Sequence, residues 1–92
     1  MNTIDKYLTE AKMGTELPAL RKFIQKPKSG KYQLGDDIVS VTHAGDTLIL
    51  KYPSELMDFT YNLIQVCDTM KLDYQEIGMS DRKNMKFIID LG

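Results

Sequence analysis

One cysteine and one histidine are the candidates for nucleophilic chemistry in this chain of 92 residues. Cys67 could act as a nucleophile with His43 as its general base. Cys67 falls on the apolar side of a helical pattern, where free cysteines are commonly buried and unreactive. His43 falls at the end of a strand pattern beside a turn, where an exposed histidine needs no catalytic explanation. The residue types therefore predict a protein that is not an enzyme.

Carboxylates at residues Asp36, Asp37 and Asp46 could bind a hard cation. Their spacing lacks the regular acidic ligands of a calcium loop, and aspartates at strand ends are typical of turns. With one cysteine and one histidine, the chain also lacks the usual ligand set of a zinc site. Segment 28–31 lacks the upstream glycines of a phosphate-binding loop. We expect no metal and no cofactor.

A basic stretch runs between residues 21 and 31, and no acidic residue lies between Leu17 and Gly35. Because Phe23 and Tyr32 are interleaved with it, the stretch could contact phosphates while an aromatic ring stacks on a base. The alternative is a solvated helix face and loop, with Phe23 in the core and Tyr32 anchoring a strand. The basic side chains are Arg21, Lys22, Lys26, Lys28 and Lys31.

Composition predicts a small soluble intracellular domain. The chain is 42% hydrophobic and 27% charged, with a net charge of −1. A protein that coats DNA without specificity would normally be basic overall. No apolar run approaches the ~18 residues that span a membrane, and no secretory signal is evident. A single cysteine excludes an internal disulfide and fits a reducing cytoplasm.

Hydrophobic periodicity predicts a single α+β domain with the order α-α-β-β-α-β-β. Residues 11–32 are predicted to form a helical, basic arm in which residues 26–31 are a mobile loop. Residues 33–92 are predicted to form a ββαββ core, in which two hairpins make an antiparallel sheet of four strands. The strand patterns cover residues 37–43, 47–52, 72–75 and 85–91, and an amphipathic helix capped by Ser54 covers residues 54–70.

The helix over residues 54–70 would cover one face of this sheet. Strand alternation places Ile38, Ile49 and Ile88 on the other face, which is more apolar surface than solubility requires. We therefore expect this uncovered face to bind a protein partner or a second copy of the chain.

The polar side of the same helix is acidic. Asp58 and Asp68, with Glu55 before them, could contact a basic groove on a partner protein. The methionines at positions 57 and 70 are expected to fill the core on the helix's apolar side.

The chain begins MNTIDKYLTEA, an amphipathic segment that ends in Leu8-Thr9-Glu10 followed by Ala11. This segment resembles the N-terminal capsid-targeting leader of internal head proteins from T-even-type tailed phages. The resemblance implies that a prohead protease cleaves after Glu10 and leaves Ala11 as the new N-terminus. It also implies packaging in the capsid and injection with the DNA, after which some members of that family inhibit host restriction enzymes.

These features together predict a non-enzymatic phage-type protein that binds a host or virion protein. Inhibition of a host defence nuclease is the specific activity we expect, in the host cytoplasm or after carriage in the capsid interior. The alternative is a small nucleic-acid-binding or regulatory module that uses the basic stretch. Membrane association is not expected, and the sequence leaves open whether the chain forms a homodimer.

Overall fold

A computed structural model describes residues 12–79 and 83–92 as an α+β fold with an antiparallel sheet. In this part of the chain, no helix is both long and apolar enough to cross a membrane. The elements are α1 (Leu17–Gln25), β1 (Gly30–Leu34), β2 (Asp37–Ala44), β3 (Thr47–Pro53), α2 (Met57–Met70), β4 (Asp73–Gly78) and β5 (Asn84–Asp90). The five strands lie in the spatial order β1-β2-β3-β5-β4.

The central strand β3 pairs with β2 on one side and with β5 on the other. Its residues Leu48, Leu50 and Tyr52 alternate toward the same face, and all three are buried. Both helices pack on that face, where Leu20 and Ile24 of α1 join the core. The opposite face of the sheet has no helix among the described residues, and we call it the open face. The core is therefore a single layer of side chains between the two helices and the sheet.

Aromatic contacts and one buried hydroxyl pair fix the inner face. Tyr52 meets Phe59 edge to face at 4.9 Å between ring centroids, and Tyr74 stacks on Phe87 at 5.3 Å. The Tyr52 and Thr60 hydroxyls lie 2.6 Å apart in a hydrogen bond. Burial raises the pKa of Tyr52 to about 12, so its hydroxyl stays protonated at neutral pH.

The sequence prediction of four strands was one strand short. The missing strand is β1, which begins in the predicted helical arm, extends two residues beyond it, and pairs with β2 from Gly30 to Leu34. Gly35 has φ of 63° and Gly45 has φ of 61°, and each is followed by an aspartate. Because glycine adopts positive φ without strain, the same Gly-Asp pair closes both the β1–β2 and the β2–β3 hairpins.

The N-terminal arm also differs from its prediction. The described part of residues 11–32 contains one helix, α1. The first helix of the predicted α-α order covers residues 3–12, which lie outside the described residues except for Lys12. Lys12 forms an isolated parallel bridge with Gln33, and the Met13 N–H donates a hydrogen bond to the Gln33 carbonyl at 2.9 Å. Met13 is buried, so this short segment adds to the edge of β1 and to the core.

The start of α2 was predicted three residues too early. Ser54 does not cap it; the Ser54 N–H donates to the Lys83 carbonyl, and Leu56 is the residue before the first turn. The prediction that Met57 belongs to the core was also wrong, because 74% of its surface is exposed. A helix turns ~100° per residue, so Met57 lies on the side of α2 away from Phe59.

Candidate functional site

Cys67 and His43 do not form a catalytic pair. Cys67 is fully buried on the inner side of α2, where it is part of the core. His43 is exposed at the end of β2 and lines a cavity of about 330 Å³ between the C-terminal ends of the two helices. Cys67 does not line that cavity. The His43 backbone N–H donates to the Ser29 hydroxyl at 2.8 Å, which is a structural contact.

We expect native Cys67 to resist alkylation. Burial, followed by the negative charge of Asp68, raises the pKa of this thiol from 9.0 to about 11. In a time course with iodoacetamide at pH 8, native protein should react only at the rate of unfolding, and urea-unfolded protein should react completely. Since Cys67 is the single cysteine, intact mass reports on this site alone. Rapid labelling of folded protein would show that the thiol is accessible.

The raised pKa of Cys67 also predicts how the stability of the fold depends on pH. A thiol whose pKa is raised on folding stays protonated in the native state, so its contribution is complete below pH 9 and is lost as pH rises toward 11. The urea midpoint should fall across that window, and a Cys67→Ala variant should fall less steeply. If the urea midpoints of wild type and Cys67→Ala fell equally with pH, the raised pKa of Cys67 would be contradicted.

The aspartates considered as cation ligands lie apart. Asp36 is in the β1–β2 turn and Asp46 is in the β2–β3 turn, at opposite ends of β2. Within residues 12–79 and 83–92, no three His, Cys, Asp or Glu side chains group as a metal site.

The basic stretch is divided between two sides of the molecule. Arg21 lines a groove between α1 and α2, whereas Lys31 lies on the open face, directly across from Ser40. Phe23 and Tyr32 meet edge to face at 5.2 Å, and the Tyr32 hydroxyl donates to the Lys28 carbonyl at 2.7 Å. The two aromatic rings therefore serve the fold, and the five basic residues do not share one surface.

The structure places the three predicted isoleucines on the open face. Ile49 and Ile88 are directly opposite each other on β3 and β5 and are half-buried, and Ile38 is 39% exposed on β2. Ile77 on β4 joins them with 41% exposure. Sequence analysis missed Ile77, although the same alternation in β4 could have found it.

Charges on the open face form a pattern that only the strand register reveals. Lys31, Lys51 and Lys86 lie in one row across the sheet, and Lys51 is directly opposite Lys86. Farther along the strands, Asp73 is directly opposite Asp90. Like charges directly opposite each other destabilise a sheet. These residues come from separate strands, so no local sequence motif contains them.

A second surface lies on the outer side of α2. Met57, Asp58, Tyr61 and Asp68 lie within about 100° of one another around the helix axis, and all four are exposed; we call this set the outer helix face. Tyr61 is 62% exposed. Asp58 and Asp68 were predicted partner contacts, whereas Met57 had been assigned to the core and Tyr61 had been overlooked.

The N-terminal end of the outer helix face borders a cavity of about 330 Å³. Its walls include Leu34, Glu55, Met57 and Asp58, and its floor includes the buried ring of Phe59. Asn62 stands at its side and donates a hydrogen bond to the Thr15 carbonyl at 2.9 Å. The Asn62 contact ties α2 to the segment before α1 and so fixes the shape of the cavity.

The C-terminal end of the outer helix face carries the carboxylate of Asp68. Burial, and then the negative charges of Asp68 and Glu76, raise the pKa of Tyr74 on the neighbouring strand. The helix itself contains no lysine or arginine between Met57 and Met70. The outer helix face therefore combines the exposed apolar groups of Met57 and Tyr61 with the carboxylates of Asp58 and Asp68.

Comparison with known proteins finds no matching family model, no matching curated protein and no matching solved structure. The leader resemblance of Leu8, Glu10 and Ala11 lies outside the described residues and stays a prediction.

Proposed function

We propose that this protein acts by binding another protein through the outer helix face. The observation that carries the proposal is the exposure of Met57 (74%) and Tyr61 (62%), one helical turn apart. Because the two side chains are one turn apart and Met57 borders the cavity, they form a contiguous exposed patch, and such patches mark contact sites. Tyrosine and methionine are enriched in protein interfaces, and tyrosine is frequent among the residues that dominate binding energy.

The charges favour a partner with a basic groove. Asp58 and Asp68 flank Tyr61 on the helix, and Glu55 precedes them beside the cavity. A lysine or arginine of the partner could pair with these carboxylates and lie against the face of the Tyr61 ring. Met57 and the apolar part of the cavity would accept an aliphatic or aromatic side chain.

Binding without catalysis is the mode of action that fits these groups. Cys67 is buried with a raised pKa, and His43 lies elsewhere on the surface. The outer helix face offers carboxylates, a phenol and a thioether with no base aligned on a nucleophile. Such a face blocks or recruits a partner by occupying its surface.

The N-terminal resemblance suggests the biological setting of this binding. A phage protein carried in the capsid meets host defence nucleases when the DNA enters the cell, and a nuclease that grips DNA needs a basic groove. We propose that the acidic outer helix face occupies such a groove and so inhibits the enzyme. In this account residues 1–10 act in delivery, and α2 acts in inhibition.

Reversing two charges tests the proposal. Immobilised Asp58→Lys/Asp68→Lys protein should lose a partner that wild type retains from extracts of its source cells, because two contacts with a basic groove become repulsive. The matched control is Asp36→Lys/Asp46→Lys, which makes the same change of charge in the two hairpin turns and should retain the partner. The purified partner should then bind wild type and the control with similar affinity, and it should bind Asp58→Lys/Asp68→Lys more weakly. Equal retention by all three proteins would contradict the assignment of the outer helix face.

Nucleic-acid binding through Arg21, Lys22, Lys26, Lys28 and Lys31 is the alternative function. Of these five residues, Lys31 lies in a row with Lys51 and Lys86 on the open face, and that row favours contact with phosphates there. Fluorescence anisotropy with a labelled oligonucleotide at low salt tests this alternative directly. Binding that weakens steeply as salt rises would support it, since each phosphate contact releases a counterion. We expect no such binding, because the aspartates on the same face repel phosphates.

A further inference from the structure

We infer that the open face is a self-complementary surface that pairs with a second copy of this chain. The inference is independent of the outer helix face, which lies on the opposite side of the sheet. It rests on the order of residues along three neighbouring strands, as the register of the sheet aligns them.

The centre of the open face is a row with two isoleucines at its middle and a polar residue on either side, which we call the central row. Thr42, Ile49, Ile88 and Gln75 lie side by side across β2, β3, β5 and β4. The row with Lys51 and Lys86 lies two residues from it in one direction along the strands. The Asp73–Asp90 pair lies two residues from it in the other direction. Side chains two residues apart are about 6.6 Å apart along a strand, so positive and negative groups are equally distant from the centre.

This symmetry matches a two-fold axis along the central row. An axis in the plane of the interface turns the second sheet over and reverses its strands, so Ile49 and Ile88 meet their own copies at the centre. Lys86 of each copy then faces Asp90 of the other, with Asp73 beside it. An isologous interface of this kind uses the same patch on both copies and closes after two.

The pairing also resolves unfavourable contacts within one copy. Lys51 and Lys86 are directly opposite each other, and so are Asp73 and Asp90. Across the described strands, the register gives none of the lysines at positions 31, 51 and 86 an acidic neighbour directly opposite. In the dimer, each like-charge pair lies next to the oppositely charged pair of the second copy. A nucleic acid would satisfy the lysines but would meet the two aspartates unfavourably.

The size of the face predicts a weak dimer. Five strands spaced about 4.8 Å apart, with about seven residues each, offer roughly 500 Å² per copy. The total of about 1,000 Å² lies at the lower limit for a specific protein interface. We therefore expect an association that depends on concentration and weakens as salt rises, because its ion pairs are partly solvated.

Sedimentation equilibrium of the full chain tests the inference. Wild type should approach twice the monomer mass of 10.5 kDa at high concentration and low salt. Lys86→Asp and Asp90→Lys should each be monomeric, because each variant faces its own copy with like charges. Both should fold at least as stably as wild type, since each relieves a like-charge pair within its own sheet. Lys22→Asp on α1 is the matched control and should dimerise normally.

A mixture of the two variants shows whether positions 86 and 90 face each other across the dimer or whether net charge alone prevents association. An equimolar mixture of Lys86→Asp and Asp90→Lys chains should form a heterodimer, because every facing pair is again of opposite sign. A monomeric wild type, dimeric single variants, or a mixture that stays monomeric would each overturn the inference. So would a wild type that stays monomeric and binds a labelled oligonucleotide through the same lysines.

Discussion

Replacing Phe87 by alanine is expected to lower the free energy of unfolding by about 3–5 kcal/mol. Phe87 is fully buried at the middle of β5, directly opposite Leu50, and stacks on Tyr74. The variant loses the transfer free energy of the ring and leaves a cavity that the two helices cannot fill without moving. Urea titration followed by circular dichroism would measure the change against a total stability of about 5–15 kcal/mol for a small domain.

The neighbouring residue provides the control for this prediction. Ile88 follows Phe87 in the chain but lies on the open face, where it is half-buried. Ile88→Ala should cost about 1 kcal/mol when measured at low protein concentration and high salt, which keep the chain monomeric. A larger cost for Ile88→Ala than for Phe87→Ala would contradict the assignment of the two faces.

Replacing Tyr61 by alanine should weaken binding to the purified partner by about 30-fold or more, which corresponds to about 2 kcal/mol. The ring is the largest group on the outer helix face, and it stands between Met57 and Asp68 with most of its surface open. Isothermal titration calorimetry would measure the loss. The variant should remain as stable as wild type, because alanine is a good helix former and the lost ring contributes little to the core.

Two further variants identify what the Tyr61 ring contributes. Tyr61→Phe keeps the ring and should retain most of the affinity, whereas Met57→Ala should cause a smaller loss than Tyr61→Ala. An affinity unchanged by Tyr61→Ala would show that the partner binds elsewhere on the protein.

Local patterns in the sequence predicted the fold class and the positions of several elements. Alternation predicted the strand over residues 47–52, which is β3, and helical spacing predicted the helix over residues 54–70, which is α2. The uncovered position of Ile38, Ile49 and Ile88 followed from the same alternation. These features depend on the period of one element, which is contained in a short stretch of sequence.

The errors arose where tertiary contacts override local propensity. Strand β1 is only five residues long and carries Lys31 and Gln33 outward, so its pairing with β2 decides its conformation. Met57 looked like a core residue because its type is apolar, although its angular position on α2 faces outward. Gly35 followed by Asp36 was a usable hairpin signal that the sequence interpretation overlooked.

The candidate binding surfaces were only partly predictable for a geometric reason. Asp58 and Asp68 lie on one helix, so their common face follows from spacing alone. The alignment of Lys31, Lys51 and Lys86 requires the register of four strands, β1, β2, β3 and β5, with β5 inserted beside β3. Long-range pairings of this kind have no short sequence motif.

Site-specific photo-crosslinking tests the central claim most directly. Benzoylphenylalanine would be placed at position 61 on the outer helix face and, in a separate protein, at position 75 on the open face. After irradiation in the source cells, mass spectrometry identifies each product. Our account predicts that position 61 crosslinks to a different protein, with the linked peptide in a basic groove, and that position 75 crosslinks to a second copy of this chain. A position 61 that yields no product, or only copies of this chain, would contradict the assignment of α2 as the partner-binding surface.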